Sequence, residues 1–254
     1  MRIAFAVVLT LAAVIGLALL GARAMSSRRA RLRAKPWSDY EQFAVAKQGG
    51  LERVLGPMHD MVGHALIPFH AGGNVDMYYF PHGIPGTGFA TMELIGPDGS
   101  GPLANVIGTY ELVAFTRLPM DKGDLPLGET DAYGAPASGA LEATPTPYDE
   151  MERRMCDILT VVAHYADEAV MNPGDTCEVP VAEGEPTICL ILDEYSPDGL
   201  QFEIAGAKHC LLLCMEVHRS EMEYAMEHGS ASVLKRLRAS GHYPYSDLNR
   251  HPVF

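Results

Sequence analysis

Four histidines stand close together in the first half of the chain, and histidine beside carboxylates is the usual equipment of a zinc site. They are His59, His64, His70 and His82, with Asp60 and Asp76 among them. A zinc-protease helix needs the pattern H-E-x-x-H, which sets two imidazoles one turn apart. The stretch HDMVGH instead separates His59 and His64 by five residues, about 140° around a helix, and Gly63 weakens that helix. We therefore predict no metal ligand here, and a metal-dependent hydrolase that uses these histidines is the alternative.

Two short patterns look like catalytic loops, but each lacks a required residue. GIPGTG at 83–88 is glycine-rich, as phosphate-binding loops are, yet it lacks the G-K-[ST] ending and no helical pattern follows it. Ser100 in DGSGP has Asp98 and Pro102 where a G-x-S-x-G nucleophile elbow needs its two glycines. We predict a hairpin loop at the first and a tight turn at the second.

The adjacent acids Asp149 and Glu150 are the last candidates for catalysis. Neighbours in sequence do not face each other on a helix, so they do not form a catalytic carboxylate pair. Acids in the first turn of a helix stabilise it through the helix dipole, so the pair predicts a helix start. We predict no catalytic residue, no cofactor and no small-molecule substrate, and we expect the protein not to be an enzyme.

The elements that would position any site are helices mixed with short strands. Apolar spacing predicts helices over 38–66 and 149–170, the first interrupted by Gly49-Gly50. β-branched and aromatic runs predict strands at 75–80, 89–96, 110–117, 187–195, 199–205 and 208–217. Residues 118–147, rich in Gly, Pro, Ala and Asp, are predicted to form a long surface loop. The sequence thus predicts an α+β domain with a mixed or antiparallel sheet flanked by helices, each half pairing a helix with a small sheet.

The stretch SEMEYAMEHGSASVLKRL at 220–237 contains several residues that are typical of the starts and ends of helices. Ser220 and Glu223 have the S-x-x-E spacing of a capping box, which predicts a helix start. Gly229 is the residue type that commonly ends a helix, and Ser230 or Ser232 is predicted to cap a second short helix. The pattern predicts core packing rather than chemistry.

The first residues of the chain belong to targeting. Residues 3–21 are uncharged and almost wholly apolar, long enough as a helix to cross a bilayer about 30 Å thick. Six basic residues follow in the linker 22–37, and such a bias holds the downstream side in the cytoplasm. We expect one transmembrane helix in the inner, cytoplasmic membrane, with the domain 38–254 in the cytoplasm. The alternative is export after cleavage near Ala24, because Ala22-Arg23-Ala24 has the form of a signal-peptidase site.

The charge of the domain points to the kind of partner that it binds. Residues 36–254 carry 12 Lys and Arg against 32 Asp and Glu, a net charge of −20. Such a surface repels a phosphate backbone and attracts a basic protein, so we expect no nucleic acid partner. The five cysteines show no metal-ligand spacing, and Cys210 and Cys214 share one face of an apolar strand about 13 Å apart, too far to bridge. Reduced core thiols agree with a cytoplasmic domain.

A resemblance to a known family comes from the order of these elements together with their residues. MEVHRSEMEYAMEHGSASVLKRLRASGHYPYSDLNRHPV at 215–253 is similar to the closing strand and two helices of the suppressor of fused domain family. The matching marks in this chain are Glu221, Tyr224, Gly229, Leu234 and Leu237. GDTCEVPV (174–181) and ICLILDEYSPDGLQFEIAGAKHCLLL (188–213) resemble the family's hairpin region, and YELVAFTR (110–117) resembles the strand before its central helix. The membrane segment and the loop at 118–147 depart from the family's usual form.

The resemblance implies an α+β domain that acts by binding protein. The family's animal namesake sequesters transcription factors of the Hedgehog pathway and holds a peptide of its partner as an added strand. Stand-alone bacterial relatives resemble accessory or immunity proteins of toxin systems. We therefore expect a non-catalytic domain that neutralises a basic protein partner, bound in a groove between the two halves or by strand addition. Besides the metal-dependent hydrolase, a structural protein anchored in the envelope by residues 3–21 is the alternative.

Overall fold

The computed structural model describes residues 37–120, 145–180 and 187–254. By its contacts the chain divides into two units, residues 1–44 and 45–254. The described part of the first unit is the opening of helix α1 (Trp37–Leu55). The predicted membrane segment 3–21 and most of the predicted loop 118–147 lie outside the described residues. Within the described ranges, no helix is long and apolar enough to cross a membrane.

The second unit combines eight strands with the rest of α1 and three further helices. The strands are β1 (Val62–Gly63), β2 (Met77–Phe80), β3 (Thr87–Ala90), β4 (Tyr110–Thr116), β5 (Thr176–Val179), β6 (Ile188–Glu194), β7 (Phe202–Ile204) and β8 (Ala207–Glu216). The helices are α2 (Pro147–Tyr165), α3 (Arg219–His228) and α4 (Ser230–Ala239), with short 3-10 helices at Phe69–Ala71 and Pro197–Gly199. The predicted α+β class is confirmed.

All eight strands belong to one mixed sheet, in which seven follow the order β1-β2-β3-β4-β8-β6-β5 and β7 pairs with the start of β8. Strands β1 to β4 form an antiparallel meander, and its first strand, β1, lies within the stretch 38–66 that the spacing predicts to be helical. Strands β4 and β8 then pair in parallel, with Leu112 opposite Leu212, and join the two halves. Our expectation of two small sheets is therefore wrong. The reason is that β4 and the second half of β8 are buried on both faces, as central strands of a larger sheet are.

Helix α2 covers one face of this sheet with the apolar stripe that its sequence predicts. Met155, Ile158, Leu159 and Val162 are at most 1% exposed and belong to one core cluster with inward-facing residues of the sheet. That cluster includes Cys210 and Cys214, and all five cysteines are free thiols, as the spacing predicts. Burying such side chains contributes about 1.5–3 kcal/mol each.

Helix α1 is shorter than predicted and runs straight through the two glycines. It ends at Leu55, where Gly56 has a φ of +86°, so HDMVGH lies beyond the helix. Gly50 does not break the helix; it allows the helix to approach β7. A Cβ at Gly50 would lie 2.2 Å from the carbonyl oxygen of Glu203.

Two predicted strands are also shorter in the structure. The strand predicted over 89–96 ends at Ala90, because the N–H groups of Leu94 and Ile95 donate to the buried carboxylate of Glu111 instead of to a neighbouring strand. The strand predicted over 199–205 is reduced to β7, because the 3-10 helix Pro197–Gly199 occupies its start.

Helix α3 begins two residues earlier than the predicted capping box. The carboxylate that reaches back to the helix start belongs to Glu221, which accepts the N–H of His218 at 2.9 Å, so the prediction of Ser220 and Glu223 as caps is wrong. Gly229 ends the helix as predicted, with a φ of +86°. Neither Ser230 nor Ser232 caps α4, since their hydroxyls donate to the carbonyls of Gly174 and Gly229.

Candidate functional site

The structure does not gather the four histidines of the first half into a site. His64 lies on the surface with Nδ1 2.8 Å from Asp76 Oδ2, and His59 Nδ1 accepts the N–H of Met61 at 3.0 Å. His70 and His82 are exposed. Over residues 37–120, 145–180 and 187–254, no group of three or more His, Cys, Asp or Glu side chains is placed to hold a metal ion.

The other patterns that look catalytic serve local structure. Residues 83–88 form the loop of the β2–β3 hairpin and the first residues of β3. The hydroxyl of Ser100 donates to Asp98 Oδ1 at 2.6 Å within a tight turn. Asp149 is the third residue of α2 and accepts the N–H of Thr146 at 2.8 Å, in a capping box. The predicted turn, hairpin loop and helix start are all present.

A different feature, which we call the edge groove, stands out along β5, the last strand of the sheet. The groove has a volume of ≈ 560 Å³. Its walls are Val162 and Tyr165 of α2, residues 169–171 after it, residues 174–179 with β5, Leu192 of β6, and Ala225, Gly229 and Ser230 of α3 and α4. Within residues 37–120, 145–180 and 187–254, β5 pairs with β6 alone, so its other edge carries backbone N–H and C=O groups that a further strand can pair with.

Hydrogen bonds fix the walls of the edge groove on both sides of β5. Leu103 donates its N–H to Ala166 O at 2.9 Å, which holds the segment before β4 against the end of α2. On the other side, the hydroxyl of Ser230 donates to Gly174 O at 2.6 Å and ties α4 to the residues before β5. Arg219 of α3 donates to Glu178 at 3.0 Å. These hydrogen bonds within the fold therefore hold the segments around the groove in place.

Large apolar side chains are exposed around this groove. Among the described residues, ten large hydrophobic side chains are exposed, and two of them line the groove. Together with three more on neighbouring segments we call them the apolar rim: Leu103 (43% exposed), Val106 (81%), Tyr165 (49%), Val170 (52%) and Met226 (68%). Tyr165 and Val170 line the groove, Met226 follows the lining residue Ala225, and Leu103 and Val106 bond to the Ala166–Asn172 segment. Exposed apolar patches of this kind mark interaction sites.

The charged side chains that line the edge groove are acidic. Among the described residues, Asp175 and Glu178 line it and no Lys or Arg does, although Arg219 pairs with Glu178 from beside it. Hydrogen bonds from Arg219 and then Thr187 lower the pKa of Glu178, which therefore stays ionised at neutral pH. Asp167, Glu168 and Glu227 are exposed close by in the sequence. An apolar floor with an acidic border fits an extended segment that carries both apolar and basic side chains.

The one thiol among the described lining residues of the edge groove is not activated. It belongs to Cys177, and burial raises the pKa of Cys177 to about 11. The thiol is therefore protonated at neutral pH and unreactive, because the thiolate is the nucleophilic form. Binding is the chemistry that this arrangement supports.

Sequence reasoning placed the binding groove between the two halves, whereas the structure shows one sheet with a groove at its β5 edge. Strand addition, the other binding mode that we expected, stays a prediction. Sequence patterns did not indicate which strand lies at the edge of the sheet. A signal exists in TCEV, which is the only four-residue strand of the second half and carries an exposed acid, Glu178, as protected edge strands do.

Comparison with known proteins identifies the fold. No family model matches the chain, and no curated protein matches it. Among solved structures, the chain is similar to one in the Sufu–Fu complex, with a TM-score of 0.52 and 16% sequence identity. The match covers 84% of this chain and 92% of the other. The chain therefore has a Sufu-like fold, as its resemblance to the suppressor of fused family predicts.

Proposed function

We propose that the chain is a non-catalytic protein-binding domain that takes up an extended, basic segment of its partner in the edge groove. The observation that carries this proposal is the position of β5. Among the described residues it is the last strand of the sheet, in a groove with an apolar floor and an acidic border. The Sufu–Fu structure supports it further, because a chain of the same fold occurs there in a complex.

The geometry indicates how such a segment would bind. Backbone N–H and C=O groups of the segment would pair with β5 and extend the sheet by one strand. Side chains alternate in direction along a strand, so every second one would enter the apolar floor formed by Val162, Met171 and Leu192. Lysine or arginine at the positions between would meet Asp175 and Glu178.

The overall charge of the domain indicates the chemical class of its partner, a basic protein. A domain with a net charge of −20 attracts a basic protein from a distance, and the groove then selects the segment that fits. Neutralisation of a basic toxin is the most concrete version, in which one immunity or accessory protein inhibits one partner without turnover. We further propose that the domain is tethered by residues 3–21 on the cytoplasmic side of the inner membrane, since basic residues cluster after that segment.

Photo-crosslinking in the native cell tests the proposal directly. A benzophenone amino acid would replace Val170 or Met226 of the apolar rim in the full-length chain, and Leu200, exposed by 41% away from the groove, as a matched control. We expect one dominant protein adduct from both groove positions and none from Leu200. If Leu200 yields the same adduct, or if neither groove position yields a protein adduct, the proposal fails.

A further inference from the structure

A second groove opens at the other end of the sheet, between residues 63–67 and the first turns of α2. We call it the loop groove. Its volume is ≈ 650 Å³, larger than that of the edge groove. The residues that matter for its chemistry are Leu66, Ile67, Met77, Tyr79, Glu152 and Asp157. It shares no lining residue with the edge groove.

One wall of the loop groove presents two adjacent aliphatic side chains to water. Leu66 is fully exposed, and Ile67 is 60% exposed. The segment that carries them is held on both sides, since Ala65 donates its N–H to Asp76 Oδ1 at 2.9 Å and Pro68 forms a bridge with Asn74. Two large aliphatic side chains fixed in this position offer a ready contact for another apolar side chain.

The floor of the groove is apolar and already packed. Met77 and Tyr79 of β2 are 2% and 1% exposed, and the hydroxyl of Tyr79 donates to the carboxylate of Glu152. This hydrogen bond ties α2 to the floor, so that the groove has one rigid wall. An apolar side chain that enters between Ile67 and Met77 would be removed from water, which stabilises the complex.

The opposite wall is acidic. Asp149, Glu152 and Asp157 of α2 line it, with Arg153 as the only cation in the lining. Burial raises the pKa of Asp157, and Arg153 opposes that shift. A cationic side chain placed against Asp157 would therefore replace solvation that this carboxylate has partly lost.

We propose that the loop groove is a second docking site, for a protein segment that inserts one large apolar side chain against Leu66 and Ile67 and places lysines or arginines against Asp157 and Glu152. Charge complementarity selects this occupant. A second copy of the domain, itself at −20, and an anionic lipid surface would both be repelled by the acidic wall. The proposal rests on the proposed function only in taking the occupant to be a protein.

The two grooves lie on opposite ends of one helix. Glu152 and Tyr165 are thirteen residues apart on α2, about 20 Å at helical rise. About six extended residues cover that distance. One partner is therefore able to contact both grooves, and the second contact then forms at a high effective concentration.

Methyl NMR with a defined probe tests the loop groove. Full-length protein with labelled Ile, Leu, Val and Met methyl groups would be held in neutral phosphatidylcholine nanodiscs and titrated with the peptide GKKLKKG, blocked at both ends. We expect saturable shifts of Leu66, Ile67 and Met77 methyl groups. The matched peptide GEELEEG should cause none. Equal shifts with both peptides, or no shifts at these three residues, would overturn the proposal.

Two variants separate this site from the edge groove. Leu66→Ser with Ile67→Ser changes only exposed side chains, so folding is retained, and it should weaken binding of GKKLKKG to the loop groove by at least about fivefold. Val170→Ser with Met226→Ser should leave that binding unchanged. Shifts confined to Val170, Met171 and Met226 would support the edge groove alone and overturn the loop groove. Shifts confined to Leu66, Ile67 and Met77 would support the loop groove alone and overturn the edge groove.

Discussion

Glu221 and Arg250 form a buried two-pronged ion pair that ties the C-terminal tail to helix α3. Arg250 Nη1 lies 2.5 Å from Glu221 Oε1 and Nη2 lies 2.7 Å from Oε2, and the two side chains are only 4% and 0% exposed. The same carboxylate accepts the N–H of Val253 and the N–H of His218, each at 2.9 Å. One side chain therefore caps a helix and anchors the last residues of the chain.

Removing the cation of this pair should strongly destabilise the fold. Arg250→Met would leave the Glu221 carboxylate buried without a compensating charge, which costs about 3–5 kcal/mol. Urea unfolding of the full-length protein, followed by circular dichroism, measures the change. Arg219→Met is the matched control, because Arg219 pairs with Glu178 on the surface, and we expect little change there. Equal effects of the two substitutions would contradict this account.

The pH dependence of stability should report the same pair. Burial opposes ionisation of Glu221, but the hydrogen bonds from Arg250, Val253 and His218 outweigh it and lower its pKa below the ordinary 4.5. A carboxylate whose pKa is lower in the folded state stabilises the fold above its unfolded pKa, and this contribution is lost as the pH falls through the folded pKa. The advantage of wild type over Glu221→Gln should thus be full at neutral pH and shrink below about pH 4.5.

Asp157 supplies a control of opposite sign for this measurement. Burial raises the pKa of Asp157 above the ordinary 3.8, against the opposing effect of Arg153 and Arg154. Its contribution to stability is therefore greatest at low pH and is lost as the pH rises through the folded pKa. The unfolding free energy of wild type relative to Asp157→Asn should therefore fall as the pH rises. Relative to Glu221→Gln it should instead rise with pH. The same trend for both substitutions would show that the assignment is wrong.

Helix α3 shows why local sequence rules reach only part of such a site. An S-x-x-E pattern at Ser220 and Glu223 predicts the helix, and a helix is there, but its start is decided by a contact with Arg250, thirty residues away from Ser220. Capping preferences differ by about 1 kcal/mol, less than the roughly 3–5 kcal/mol that it costs to leave one partner of a buried ion pair without the other. The tertiary contact therefore decides the register, and the local pattern identifies only the element.

The same distinction holds for the sheet and for the two grooves. The β2–β3 hairpin, the stripe on α2 and the burial of Cys210 and Cys214 all follow from spacing within one element. The parallel pairing of β4 with β8 joins residues about 100 apart, and no local rule specifies it. The edge groove depends on two further long-range pairings, of β8 with β6 and of β6 with β5, which leave β5 as the last strand among the described residues. The family resemblance, which rests on the order of the elements, predicted the fold, whereas local patterns predicted only single elements.

Gly49 and Gly50 make a matched pair for a test of how α1 packs on β7. Both lie inside the helix, but a Cβ at Gly49 meets nothing within 4 Å, whereas at Gly50 it would lie 2.2 Å from Glu203 O. Gly49→Ala should stabilise the protein by up to about 1 kcal/mol through helix propensity. Gly50→Ala should destabilise it by about 1–3 kcal/mol, since an added methylene in a packed contact forces the backbone apart. Melting temperatures of the full-length variants should move in opposite directions, and a shift in the same direction would refute this packing.

Lys47 and Glu111 form a second buried ion pair, at the point where β3 ends. Lys47 Nζ donates to Glu111 Oε1 at 2.7 Å and to the carbonyls of Met92 and Ile95 at 2.9 and 2.5 Å. The side chains are 3% and 0% exposed. Glu111 also accepts the hydroxyl of Thr91 at 2.7 Å. The segment after β3 is thus organised around two opposite charges.

Substituting one partner should cost more than substituting both. Lys47→Met leaves the Glu111 carboxylate buried without its cation and should destabilise the fold by about 3–5 kcal/mol. Glu111→Gln in that background removes the unpaired charge and should restore part of the loss. A double-mutant cycle of urea unfolding measures the coupling. Lys208→Met, at an exposed lysine, should have little effect. A double variant less stable than Lys47→Met would contradict the pairing.

The acidic border of the edge groove should control how fast the partner arrives. Glu168 is exposed at the end of α2, next to the groove residue Ala169, and Asp60 is exposed in the segment before β1. Glu168→Lys and Asp60→Lys change the net charge equally, but only the first changes the charge beside the groove. Local charge steers docking more than distant charge does, because salt screens beyond about 10 Å at an ionic strength of 0.1 M. With the partner captured by cross-linking, stopped-flow association at low salt should slow about threefold or more for Glu168→Lys and much less for Asp60→Lys. The difference should vanish at high salt, and an equal slowing by both would place the docking surface elsewhere.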